Sequence, residues 1–368
     1  MSMKYKKTKI ILILLLPLGF LLSYVLSFVP NLIEKYYSNG IYRVISQPLS
    51  IITGIFPFSL GEILVILFIL YLLITLIKFL RNLKFKEIKK TLFNSLIKIT
   101  ITLGIIYFTF ISIWGLNYQR LTFSEISNLN VKPAKVDELI SLNEVLIKRA
   151  NKLRKKVKEN ELGIMYLPRG KSYCLKNAYK GYRLSSKLYP ELRGKYGNPK
   201  PVYMSSILSY LGISGIYFPF TSEANVNMLI PDSMFPVTTF HEMAHQRGFA
   251  KEDEANYIAY VTCNIHPNVS YKYSGTLLGV IYSMNALYKY DREEFLKLKT
   301  KYSDGVKRDL IAINDFWNRY EGFLEETSSK INNAYLKSNM QEDGILSYGK
   351  MVDLLIAEYR KKGLLVKN

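Results

Sequence analysis

Thr238–Asn256 reads TTFHEMAHQRGFAKEDEAN. The chain has three histidines in 368 residues, and two of them, His241 and His245, stand here four apart with Glu242 between them. Residues four apart share one face of a helix, so both imidazoles project to one point, where a single zinc ion can take both. Glu242 falls about 100° further round, close enough to handle a water at the ion without ligating it. Zinc lowers the pKa of such a water towards about 7, and a carboxylate can then take its proton as it attacks a carbonyl. Met243 and Ala244 face the other way and suit a core. Pro236 suits the opening turn, with Asp232 or Ser233 near the cap, and Gly248 suits a left-handed close. Chance alone puts HExxH in roughly one such chain in a thousand.

A catalytic zinc wants a third protein ligand and one open position. Past the turn, Glu252 and Asn256 stand four apart on the expected next helix, and Ala255 allows close helix approach. Glu254 is the rival third ligand. HEMAH followed by E-x-x-A-N resembles the gluzincin metallopeptidases. That resemblance implies zinc ligation by His241, His245 and Glu252, Glu242 as catalytic base, and Asn256 as support for a ligand histidine. Asparagine stands where the commonest pattern has aspartate, and it accepts an imidazole N–H less strongly. The resemblance also implies an edge strand just before the helix, at Ile216–Phe220 or the residues after it, pairing with an extended peptide substrate. Glu223 and Asn225 are candidates to line that cleft. The remaining histidine, His266, precedes Pro267 and reads as a surface residue, with an oxyanion-stabilising role as the sharper alternative.

Outward from the motif, three apolar stretches dominate the first third of the chain. Residues 10–29 carry no charge, and segments 61–79 and 97–116 are of similar length, matching the thickness of a bilayer core. Lys4, Lys6, Lys7 and Lys9 precede the first; Arg81, Lys84, Lys86, Lys89 and Lys90 lie between the second and third. By the positive-inside bias these flanks are cytoplasmic, which puts residues 117–368 on the extracytoplasmic side of the cell membrane. The stretch 30–60 is semi-apolar and broken by Gly and Pro; it is expected to lie in the interface or to pack on the domain, the interfacial loop being the simpler reading. Trp114–Arg120, WGLNYQR, reads as a set of interface anchors.

Helical periodicity runs over 133–160, with Pro133 in the first turn, and over 252–264, 273–290, 305–335 and 347–361. Leu310, Ile313, Trp317, Tyr320 and Leu324 read as one core stripe. Residues 202–218 read as one or two strands with a turn near Gly212–Gly215. The fold class is therefore α+β: three N-terminal transmembrane helices (residues 1–116), then a mainly helical zincin-like domain with a small sheet (117–368). The net charge of +21, from 50 Lys+Arg against 29 Asp+Glu, reads as attraction to anionic lipid and polymer rather than to nucleic acid. Cys174 and Cys263 are too few for a disulfide framework and read as two buried thiols. Neither a glycine-rich phosphate loop nor Gly-x-Ser-x-Gly is present, which removes one class of hydrolase.

Nearly the whole chain resembles a bacterial family of three-span membrane proteins with an HExxH domain of unknown function. The stretches that carry this likeness are 38–62, WGLNYQR, 215–227, 241–256 and NAYLKSNMQEDGILSYGKMVDLLI (333–356). It implies a membrane-anchored, zinc-dependent peptidase acting on an extended peptide or protein, and names no substrate. The alternative of a different class is an envelope scaffold or polymer-binding protein whose zinc is structural or vestigial.

Overall fold

A computed structural model describes residues 3–82, 88–132, 135–338 and 350–365. Three of its helices are long and apolar enough to cross a membrane: Thr8–Leu26 (within Met3–Leu26), Leu60–Arg81 and Ile88–Ile113. The third starts earlier and stops earlier than hydropathy alone suggests, and the chain turns through a short 3-10 segment, Gly115–Gln119. The first and third pack closely because each offers a glycine to the other. A Cβ on Gly19 would meet the Tyr107 ring at 2.9 Å, and one on Gly104 would meet the Leu16 amide nitrogen at 3.2 Å. The second keeps almost its whole surface exposed.

The segment between the first two apolar helices is not a loop. It forms Pro30–Leu32, a nine-residue π-helix Ile33–Ile41, and an α-helix Tyr42–Thr53, and it packs on the rest of the protein. Ile33, Tyr37 and Tyr42 share a buried cluster with Ile111, Trp114 and Tyr217, so residues on both sides of position 117 build one core.

A larger core lies among helices Val136–Arg154, Phe235–Gln246, Glu252–Ile265, Val269–Tyr290 and Met351–Lys361, with Leu142, Leu146, Phe240, Tyr257, Leu277 and Leu355 fully buried. Pro133, placed by its sequence in the first turn of the 136–154 helix, lies outside the described residues. The long periodic stretch 305–335 is two helices, Asp304–Asn318 and Phe323–Ser338, broken where Gly322 takes φ 150°; Leu324 is consequently exposed. A further helix, Arg292–Lys299, precedes them.

The sheet has three strands, β1 (Lys200–Val202), β2 (Gly215–Phe218) and β3 (Glu223–Asn227), in the order β1-β3-β2. β1 runs parallel to β3; β2 runs antiparallel to it, with Tyr217 opposite Ala224. Residues expected to extend a strand at 205–210 form a short helix instead, Ser205–Tyr210. β2 is an edge strand, as expected for part of Ile216–Phe220, and Ala224 and Val226 of β3 face the main core.

Candidate metal centre

The motif helix is Phe235–Gln246, with Pro236 in its first turn. Neither Asp232 nor Ser233 caps it: the N-cap is Met234, with no side-chain cap, and Asp232 instead accepts the Leu167 amide (2.8 Å) and pairs with Lys171 (3.3 Å). At the other end Gly248 takes φ +82° and the Phe249 amide returns to the Ala244 carbonyl (3.2 Å). A Cβ at Gly248 would stand 2.8 Å from the Asn117 side-chain oxygen, so the turn needs glycine for space as well as for φ.

This turn does two things. It carries the Phe249 carbonyl back to His245 Nδ1 (2.7 Å), and it aims the next helix, Glu252–Ile265, so that Asn256 Oδ1 reaches His241 Nδ1 (2.9 Å). Both partners are acceptors, so each ring keeps a proton on Nδ1 and turns Nε2 into the centre. The Asn256 amide is oriented in turn by its own donation to the Tyr282 hydroxyl (3.3 Å). The two Nε2 atoms converge to 3.0 Å. Glu252 closes the group, one oxygen 3.1 Å from His241 Nε2 and the other 3.6 Å from His245 Nε2. These three side chains could hold a metal ion, their ligand atoms all lying within 4.8 Å of one another.

Glu254 does not join them. Its Oε1 accepts the Phe123 amide (2.9 Å), and burial pushes its carboxyl up to about 7. The rival third ligand is thus turned away by about two residues' rotation of the helix, roughly 200°.

Burial works against charge throughout the centre. It pulls the His245 imidazole down, but the Glu252 carboxylate overrides it and lifts the ring to about 9. Burial pushes Glu252 up, and the two imidazoles hold it well below the usual carboxylate range. Glu242 is buried beside the cluster without belonging to it. Burial pushes it up to about 7, against the pull of His241 and His245, and the Tyr217 backbone N–H donates to it. The outer edge of β2 therefore faces this carboxylate.

Gly215, the first residue of β2, makes the room: a Cβ there would lie 2.6 Å from Glu242 Oε1 and 2.7 Å from its Cγ. Gly215→Ala should displace the carboxylate while leaving the three-residue cluster intact. Measured as bound metal per chain, the expected outcome is no change, since Glu242 stands outside the cluster.

The last carbonyls of a helix have no partner inside it. Here they are met by residues flanking the apolar helices. Trp114 Nε1 donates to the His245 carbonyl (3.2 Å), and the Tyr42 hydroxyl donates to the Gln246 carbonyl (2.9 Å) and touches the Tyr217 hydroxyl (3.1 Å). Arg120 Nη1 donates to the Gly248 carbonyl (3.0 Å), stacks over the Phe249 ring, and makes a buried two-point pair with Glu34 (2.8 and 2.7 Å). The WGLNYQR stretch thus does more than anchor: Trp114 and Arg120 are buried and brace the turn that positions His245.

Other expected site residues lie elsewhere. Glu223 accepts the Leu60 and Gly61 amides (3.2 and 2.8 Å), capping the second apolar helix. Asn225 shares its face of β3, opposite to Ala224 and Val226, and so does not line the centre. His266 is buried rather than on the surface, stacked 3.7 Å from Tyr271, and burial pulls it down to about 4. It lies some 14 residues along the helix from Glu252, about 21 Å, too far for an oxyanion role. Cys174 and Cys263 are free, buried thiols.

The fold and the centre together define a class: a mostly helical protein with three helices long and apolar enough to span a membrane, a small three-stranded sheet, and two histidines and a glutamate that could hold a metal ion. Residues 37–356 match DUF3810, described as a protein of unknown function, and the chain belongs to that family. The match begins inside the π-helix and crosses position 117, as the shared core does. No curated protein and no solved structure matches the chain.

Proposed function

We propose that the protein is a membrane-anchored zinc peptidase whose three apolar helices cross the bilayer and whose remaining residues lie on the extracytoplasmic side. The observation that carries the proposal is the convergence of two imidazole Nε2 atoms and a carboxylate, each imidazole fixed from behind through Nδ1. Donor atoms about 2.0–2.1 Å from a tetrahedral ion stand roughly 3.3 Å apart. The two imidazole nitrogens stand 3.0 Å apart, and one Glu252 oxygen stands 3.1 Å from His241 Nε2, both close to that value. His241, His245 and Glu252 would hold the ion, leaving one position open.

A zinc ion there supplies a Lewis acid that polarises a carbonyl and acidifies a water. Glu242, buried beside the cluster but outside it, takes the proton from the attacking water and passes it to the leaving amine. The outer edge of β2 offers backbone groups to an extended peptide running past Glu242.

The test is zinc per chain in the full-length protein in detergent micelles, by elemental mass spectrometry, followed by titration with a hydroxamate peptide. About one zinc and saturable hydroxamate binding are expected. A zinc site that refuses hydroxamate would have its fourth position filled and would make the protein a scaffold; no zinc after reloading would end the metallopeptidase reading.

A further inference from the structure

Helix Tyr42–Thr53 is built inside out. The face it turns to the protein is Tyr42, Ser46, Ser50 and Thr53, all buried. The face it turns outward is Val44, Ile45, Ile51 and Ile52, flanked by Ile41 before it and Ile55 after it, with Val44 74% and Ile55 77% exposed. A helix bathed in water shows the opposite arrangement, and an apolar face of this extent is not left open to water. The face is continuous in the chain with the apolar helices on either side: Thr8–Leu26 precedes it, and Leu60–Arg81 begins seven residues after Thr53. Its occupant is therefore lipid.

The polar side of the same helix is fastened to the metal centre's own supports. Ser50 Oγ accepts from Gln246 Nε2 (2.8 Å), and Gln246 is the residue after His245. Tyr42 donates to the Gln246 carbonyl (2.9 Å), and Thr53 Oγ1 donates to the Thr221 carbonyl (3.0 Å) in the turn between β2 and β3. Glu62, in the first turn of the second apolar helix, accepts the Tyr203 and Met204 amides (3.1 and 2.6 Å). Only one helix diameter, about 10 Å, separates lipid from the helix that bears both histidines. The headgroup layer is itself roughly 5–8 Å deep.

We infer that the substrate is the juxtamembrane stretch of a second polypeptide anchored in the same bilayer. This rests on the peptidase reading above and adds the class of substrate. An extended chain rises about 3.3 Å per residue, so a bond some three to eight residues outside a span arrives at the level of β2 without leaving the surface. Soluble chains must find the same edge by diffusion, without the concentrating effect of a shared membrane.

The experiment uses the full chain, zinc-loaded, in phosphatidylcholine vesicles, and has two readouts. In the first, a bimane label sits on Val44→Cys or Ile52→Cys, with Tyr290→Cys as the exposed control; Cys174 and Cys263 are buried. Labels at 44 and 52 should be quenched by shallow nitroxide lipid and shielded from aqueous iodide, with the reverse at 290. In the second, one unstructured peptide is offered free, on an apolar span through a five-residue spacer, or on the same span through a forty-residue spacer. The short-tethered form should be cleaved about 100-fold faster than the free form at equal bulk concentration, and faster than the long-tethered form.

Labels open to iodide, or shielded from both quenchers by a protein neighbour, overturn the inference while leaving the peptidase reading intact. So does equal cleavage of the free and short-tethered peptides. Lipid-quenched labels with no cleavage of any peptide overturn the peptidase reading, and the substrate class falls with it.

Discussion

Glu242→Gln is expected to slow peptide hydrolysis by about three orders of magnitude while zinc stays near one per chain. Glutamine matches glutamate in size, and its amide oxygen can still accept the Tyr217 N–H that now reaches the carboxylate. It cannot take a proton from water, and general-base catalysis is worth about 10²–10⁴ in rate. Since Glu242 stands outside the cluster of His241, His245 and Glu252, its replacement should not touch metal content. Kinetics on an unstructured peptide beside elemental analysis of the same preparation decide the matter. Retained activity removes Glu242 from the chemistry; lost zinc makes it a ligand rather than a base.

The second large effect separates two glutamates two residues apart. Glu252→Ala removes one of three donors to the ion, and zinc affinity should fall by at least about 100-fold, more than the 10- to 100-fold typical of losing a ligand's hydrogen-bonding partner. Glu254→Gln should leave affinity unchanged, because Glu254 spends its oxygen on the Phe123 amide. Competition with a chromogenic chelator measures both. The reverse pattern, zinc lost with Glu254→Gln and kept with Glu252→Ala, would overturn the ligand set. Asn256→Ala belongs between them, with a loss in the second-partner range, since it leaves His241 Nδ1 without its acceptor.

Much of the centre was legible in the chain because its chemistry dictates spacing. Two ligands on one helical face must be three or four residues apart, and so must a helix residue that backs one of them. Spacing alone left Glu254 open beside Glu252, which the motif resemblance favoured and the structure brings to the cluster, because the choice depends on how the second helix leaves the turn at Gly248. Gly215 left no trace either: its role is to be absent from the space that Glu242 fills, which only the packing reveals. The short helix Ser205–Tyr210 was read as strand because six residues cannot distinguish the two periods.

The stretch 30–60 read as an interfacial loop because Gly and Pro break it, whereas it forms helices that pack on the protein, the other option its sequence left open. Helix Tyr42–Thr53 has its polar face against protein, and the Glu34–Arg120 pair that steadies its neighbourhood joins residues 86 positions apart. No local pattern announces such a pair. His266 likewise read as a surface residue from its loop-like surroundings, yet it lies stacked in the core.

That same buried pair bears on how the protein can be handled. Hydropathy invites a cut near residue 117 to yield a soluble fragment. Such a fragment keeps Arg120 but loses Glu34, its partner in a buried two-point pair, and with it the residues that hold Arg120 against Gly248 and Phe249. It also loses Trp114 and Tyr42, leaving the carbonyls of His245 and Gln246 unanswered. A trimmed protein that proved inert, or bound no ion, would report on the surgery rather than on the whole chain. The smallest piece worth purifying is the one that still carries its membrane.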